Sequence, residues 1–214
     1  RFSGPAQGSS YHITAQLPEG VRYEQVEQVI AGRLEDIDRS LSLYRPDSEI
    51  SRFNDLPAQT EMEVSKEFID VLAIAREVYR DSGGVFEPTI KPLIDLWGFG
   101  PKLSKLQGFS QLPDEKEVAA ARKALAFPDV FNKGHKVSKS SALSLSFDGV
   151  AQGYTVDVLK EALDRLHIQN YMIEVGGELA TKGVSPRKTP WRIGVEMPET
   201  EQLSEKVFSA LLLT

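Results

Sequence analysis

The chain has no cysteine. That excludes disulfides and thiolate metal sites. It is compatible with an oxidising compartment but does not indicate one. Histidine is nearly as scarce. His12, His135 and His167 stand far apart, in no ligand spacing, which argues against a zinc centre. No apolar run reaches membrane-spanning length. There is no basic run, and a net charge of -6 argues against a general nucleic-acid binder. The G-x-S-x-G elbow, the Walker-A loop and the G-x-G-x-x-G fingerprint are missing. So are internal repeats and low-complexity tracts.

What is present is an ordinary globular composition. The 214 residues are 41% apolar and 26% charged, enough for one large domain or two small ones. The first residue is Arg1 rather than Met, so a removed leader is expected. At the other end VFSALLLT, residues 207–214, reads as a strand with no closing turn.

The chain is organised around residues 141–179. Leu143 and Leu145 alternate with serines, the pattern of a half-buried strand. Asp148-Gly149 reads as a turn. From Ala151 the period becomes helical: Ala151, Val158, Ala162 and Leu166 share one face, with Thr155 and Leu159 beside them. Met172 to Val175 is a second strand, stopped by Gly176-Gly177. Such a unit normally joins two parallel strands through a crossover helix. A helix start near Gly149 directs N–H groups and the positive dipole end outward, where an anion such as phosphate can dock. The plainer alternative is an ordinary strand–turn–helix in which glycine only serves the turn.

Elsewhere, residues 8–17 read as an opening strand and 24–41 as an amphipathic helix. Pro46 forbids continuation of that helix, and Ser48 caps a short turn through Phe53. A helix is expected over 66–80, capped by Ser65 and ended by Gly83-Gly84. Residues 83–102 hold three prolines, four glycines and three aromatics, and read as neither helix nor strand. This loop is either buried against the core or walls a flat ligand. Asp114 and Glu117 fit a capping box, and Pro128 closes the helix they open. Strands are expected near 129–132 and 135–138, joined by a turn at Asn132-Lys133-Gly134. Residues 179–186 read as a loop and 191–196 as a strand that Pro198 ends, with another starting at 206. Asp148, Asp157, Glu174 and Glu178 gather around the central stretch, the oxygen-rich chemistry that suits magnesium. Asp157 and Glu161 are more simply a solvated helix face.

Six ordered blocks carry a resemblance. They are Gly8-Ser9-Ser10-Tyr11, LSLYRPDSEISRFN (41–54), GGVFEPTIKPLIDLWGFG (83–100), DGVAQGYTVD (148–157), IEVGGEL (173–179) and PWRIGVEMP (190–198). In this order and spacing they resemble the ApbE-type FAD:protein FMN transferases, over nearly the whole chain. The resemblance implies an α+β fold, T-fold-related, with a mixed sheet and packed helices in a single domain over 1–214. It implies FAD as substrate, magnesium as metal, and transfer of FMN to a Ser or Thr hydroxyl of a partner flavoprotein, typically a membrane redox subunit. It also implies export to the periplasmic face of a membrane, with a lipid anchor upstream of residue 1.

Carried over by block, Gln7, Tyr44, Val85, Phe86, Glu87, Trp97, Phe99, Ser146 and Gln152 would contact FAD. Gly149 would offer a backbone oxygen to the metal. Gln7 stands where the family often has Met. Ser146 stands where many members have Asp, with Asp148 two residues on. The family's T-S-G and H-x-x-D-P-x-T-G blocks and its late Asp and Thr metal ligands have no counterpart here. A longer protein, truncated here at its C-terminal side, is therefore expected, with its catalytic groups and most of its metal site beyond Thr214. The alternatives on the same fold are a magnesium-dependent FAD pyrophosphatase, a non-catalytic FAD-binding module, and a structural protein that has lost the site.

Overall fold

The computed structural model describes residues 1–99, 112–196 and 207–213. The ends of three expected features, at Gly100 to Lys102, at Pro198 and at residues 206 and 214, lie outside the described residues. The chain forms two compact units, Arg1–Leu34 with Gln152–Thr214, and Glu35–Ala151.

The first unit is built on a four-stranded antiparallel sheet in the order β1-β2-β6-β7. Its strands are β1 (Phe2–Ala6), β2 (Ser9–Ala15), β6 (Tyr171–Val175) and β7 (Glu178–Lys182). Nothing in the sequence pattern announces β1, because Gly4 and Pro5 are poor strand formers. Both are tolerated here because β1 is an edge strand, where a missing N–H costs no ladder bond. Gly4 also makes room for its cross-strand neighbour: a Cβ there would lie 2.9 Å from Cε1 of the Tyr11 ring. The expected loop at 179–186 is a strand over its first part. Gly176 and Gly177, with φ of 57° and 99°, supply the left-handed two-residue turn that returns β7 beside β6.

Ile13 pairs with Phe2 on one side and Ile173 on the other, so one sheet face is apolar across three strands. Val26 and Ile30 of α1 (Tyr23–Leu41) and Val156, Leu159 and Leu163 of α6 (Asp148–Arg165) close over it. All these residues are buried, and cutting one such Ile to Ala costs about 2–5 kcal/mol. Strands β8 (Trp191–Glu196) and β9 (Val207–Leu213) form a separate antiparallel pair. The buried Trp191 donates its indole N–H to the carbonyl of Lys182, 3.2 Å away.

The second unit combines helices with a three-stranded sheet in the order β3-β5-β4, from β3 (Glu61–Glu63), β4 (Val130–Lys133) and β5 (Lys136–Lys139). Its helices begin where local signals place them. Ser48 caps α2 (Glu49–Asp55) and Ser65 caps α3 (Lys66–Asp81). The Asp114–Glu117 capping box opens α5 (Glu115–Lys123). The 83–102 segment is more regular than expected, for it includes a short helix α4 (Lys91–Leu96) with Pro92 in its first turn. Phe68 packs between Phe53 and Phe147, at centroid distances of 5.9 and 5.4 Å.

Two expectations for the central stretch are corrected. Helix α6 starts at Asp148, so Asp148-Gly149 is its first turn rather than a separate turn ahead of it. Residues 141–147 are not a strand. The segment is extended, and Leu143, Leu145 and Phe147 are buried as the alternation requires. Its polar groups find partners outside any sheet. Leu145 donates its N–H to Asn54 Oδ1 at 2.7 Å and accepts from Asn54 Nδ2 at 2.9 Å, and Ser146 donates to the Pro88 carbonyl at 2.8 Å. A side-chain amide here replaces a strand neighbour. The parallel crossover therefore does not form. Every strand pair among the described residues is antiparallel, so the α+β class holds without the mixed sheet.

Candidate functional site

The predicted residues fall into two groups, one in each unit. In the first unit, Gln7 sits at the turn between β1 and β2 with φ of 49°, a left-handed conformation costly for a residue other than glycine. Its side-chain Nε2 donates to Thr155 Oγ1, 148 residues away in sequence. Its Oε1 is buried and has no partner among the described residues. Ala6 pairs with Ser9 and Val175 with Glu178, and Gly176 donates its N–H to the Ser10 carbonyl. The Gln7-Gly8 and Gly176-Gly177 turns are thus at the same end of the sheet. The Gln152 side chain lies over Gly176, with Cδ 2.7 Å from where a Cβ would stand. Gln7, Gln152 and Thr155 therefore gather at this end, and an orphaned amide oxygen there suits a ligand N–H. Thr155 was expected only as a flank of the helix face. Its contact with Gln7 has no local signal.

In the second unit, Val85, Phe86 and Glu87 follow the Gly83-Gly84 end of α3. Val85 is 88% exposed. Phe86 reaches the first turn of α6, where a Cβ on Gly149 would lie 3.0 Å from its Cε2. Glu87 is committed locally, its Oε1 accepting from the N–H and hydroxyl of Thr89. Ser146 is buried, and its hydroxyl accepts from the Asp148 N–H at 3.3 Å. Val150 and Ala151 both donate to the Phe147 carbonyl. Of the first-turn N–H groups of α6, only that of Gly149 has no acceptor among the described residues. The broad anion cradle expected at this helix start narrows to one donor, beside the exposed carboxylate-bearing Asp148.

Tyr44 is 65% exposed, on a loop fixed by Arg45, which bonds Glu35 at 2.9 Å and Asp47 at 3.1 Å. The hydrogen bonds of Arg39 and Arg45 hold the Glu35 carboxyl below its ordinary range. Trp97 caps α4 and lines a cleft of about 580 Å³ with Pro113, Val118, Ala119 and Arg122. Phe99 is 68% exposed. No two of the rings of Tyr44, Phe86 and Trp97 stack on one another among the described residues.

The donor set for magnesium is incomplete. Among the described residues no group of three or more His, Asp or Glu could hold a metal ion. Glu174 turns back to accept the Gly177 N–H at 2.7 Å, Glu178 is on β7, and Asp157 is on the exposed face of α6. The three histidines likewise form no centre.

Lys139 escaped the sequence reading altogether. It is buried at 3% exposure, and its ammonium donates to the carbonyls of Asn54 and Leu143, both at 2.9 Å. Burial pushes its pKa down, with Asp55 acting in the opposite sense.

The chain is similar to known proteins along most of its length. The ApbE family model matches residues 7–214. The FAD:protein FMN transferase of Vibrio cholerae is 33% identical over 208 residues, covering 95% of this chain and 60% of that protein. The FAD:protein FMN transferase of Haemophilus influenzae is 33% identical over 206 residues, covering 93% and 59%. The solved structure of flavin transferase ApbE from Vibrio cholerae superposes with a TM-score of 0.87 at 32% identity, over 96% of this chain and 66% of that one. The apo flavinyl transferase ApbE of Pseudomonas stutzeri gives 0.86 at 33% identity, over 99% and 65%. The chain spans about 60% of the length of the curated relatives it matches. It belongs to the ApbE family.

Proposed function

We propose that this chain carries the FAD-binding residues of an FAD:protein FMN transferase that moves FMN from FAD onto a Ser or Thr hydroxyl of a partner flavoprotein. The observation that carries the reading is the meeting of Phe86 with Gly149 and of Pro88 with Ser146. It joins the Val85–Glu87 segment, of which Val85 is exposed, to the start of α6 within one unit, around residues that the family blocks share. Within the first unit, the orphaned Gln7 Oε1 beside Thr155 offers an acceptor for a ligand N–H. The similarity to the FAD:protein FMN transferases of Vibrio cholerae and Haemophilus influenzae supports this chemistry.

Magnesium dependence belongs to the same proposal. Phosphoryl transfer demands charge neutralisation and in-line positioning more than a covalent nucleophile. A diphosphate resting near Gly149 meets one free N–H and the carboxylate of Asp148, so an added cation is needed to offset the repulsion. The described residues do not close a ligand set for it. Their own part is to bind and orient FAD. An exported, lipid-anchored protein acting on a membrane redox subunit fits the same reading.

Full-length protein incubated with FAD, magnesium and a Ser- or Thr-bearing acceptor peptide should add the mass of an FMN unit to the peptide. No mass gain on any acceptor, with AMP and free FMN released instead, would replace transfer by FAD hydrolysis. FAD bound tightly, unaffected by magnesium and without turnover, would leave only a binding module.

A further inference from the structure

The buried ammonium of Lys139 is an expensive feature with no role in the reading above. A buried lysine normally pairs with a carboxylate or loses its proton. Among the described residues no carboxylate bonds this one. Two of its hydrogens go to the carbonyls of Asn54 and Leu143. The nitrogen also lies 5.2 Å from the centroid of the Phe53 ring, a cation–π distance. Asn54 uses its side chain as a second clamp. Its amide exchanges two hydrogen bonds with the backbone of Leu145, as a neighbouring strand would. Lys139 holds the Asn54 backbone, and Asn54 holds Leu145. The two residues fix the carbonyl of Leu143 and both polar groups of Leu145.

The course of the next residues follows from this. Ser146 is delivered to the Pro88 carbonyl, and its hydroxyl meets the Asp148 N–H. Phe147 is buried against Phe68, and its carbonyl starts α6 by accepting from Val150 and Ala151. Gly149 then comes under the Phe86 ring. We propose that Lys139 and Asn54 are positioning residues that hold the 143–149 segment in place of a missing strand, and so fix the Ser146–Gly149 turn where FAD binds. The location of FAD rests on the function proposed above. The clamp itself does not.

The test uses full-length protein and the variant Lys139→Met, which keeps a long apolar stem against Phe53 and loses both carbonyl bonds. Amide hydrogen exchange is followed at Leu145 and Ser146 without ligand, FAD affinity by flavin fluorescence, and global stability by thermal melting. The expected result is exchange at these two amides at least about tenfold faster, and an FAD Kd raised by about tenfold, in a protein that still folds. A merely structural role would lower the melting temperature and leave the Kd of the folded protein unchanged. Unchanged exchange at Leu145 and Ser146 overturns the clamp. Faster exchange with an unchanged Kd, in a wild type that binds FAD, overturns its link to the ligand turn. If the wild type takes up no FAD, the functional reading falls, and exchange alone decides the clamp. If Lys139→Met does not fold, Asn54→Ala, which leaves the lysine in place, carries the same expectations.

Discussion

The side-chain amide of Gln152 occupies the space that a Cβ on Gly176 would need, with Cδ 2.7 Å from that position. The glycine is thus required twice, for its φ of 57° and for the side chain above it. Gly176→Ala should cost about 1 kcal/mol from the left-handed backbone. The larger consequence is local, because the flexible amide must swing away. Gly176→Ala should therefore weaken FAD binding as much as Gln152→Ala does. Flavin titration of both variants checks this, and a full-affinity Gly176→Ala beside a weakened Gln152→Ala would contradict it.

Two glycines in the first turns of α6 should respond oppositely to alanine. Around Gly153 nothing lies within 4 Å of an added Cβ, so Gly153→Ala should stabilise by roughly 0.5–1 kcal/mol through helix propensity. At Gly149 the same propensity gain meets the Phe86 ring 3.0 Å away. Gly149→Ala should show no gain in denaturant midpoint, and should displace Phe86. Equal stabilisation by both changes would show that Phe86 yields freely.

These contrasts rest on features the sequence showed unevenly. The helices α1, α3 and α5 were legible because their signals are local: a 3.6-residue apolar period, Ser65, and the Asp114–Glu117 pair. Strand β1 was hidden because Gly4 and Pro5 speak against a strand, and only an edge position excuses them. The alternation correctly placed Leu143 and Leu145 inside. It could not reveal that Asn54, 91 residues away, replaces the ladder partner of Leu145. The site behaved similarly. Its residue types were recognisable as family blocks, whereas the Gln7–Thr155 contact and the Lys139 clamp depend on long-range folding that no window contains.

Tyr44 projects its ring at 65% exposure from a loop tied down by Arg45. An exposed aromatic of this kind contributes little to folding, so Tyr44→Ala should change stability by less than about 0.5 kcal/mol. If the ring stacks on a flat ligand, FAD affinity should fall roughly two- to tenfold. Phe131, 50% exposed on β4, is the control, and Phe131→Ala should leave the affinity unchanged. Equal affinities for the Tyr44 and Phe131 variants would remove Tyr44 from the site.

Asp164 on α6 joins two strands of the first unit, its Oδ1 accepting from the Tyr171 hydroxyl and from Lys182 Nζ, both at 2.9 Å. Burial alone would raise the Asp164 pKa, but the bonds from Lys182 and Tyr171 outweigh it and hold the carboxyl below its ordinary range. Tyr171 shifts the other way, raised by burial and then by its bond to Asp164. A depressed carboxylate stabilises above its unfolded value of about 3.9 and loses that contribution as the pH falls further. A raised phenol contributes fully below about pH 10 and loses its contribution as the pH climbs. Tyr171→Phe should therefore cost about 1 kcal/mol at neutral pH. The gap to wild type should narrow above about pH 10, where the unfolded wild-type chain alone gains by ionising this tyrosine. Asp164→Asn should instead close its gap on the acid side. Denaturant melts across the pH range separate the two, and a Tyr171→Phe gap that stays constant into alkali would mean the hydroxyl ionises in the folded protein as freely as in water.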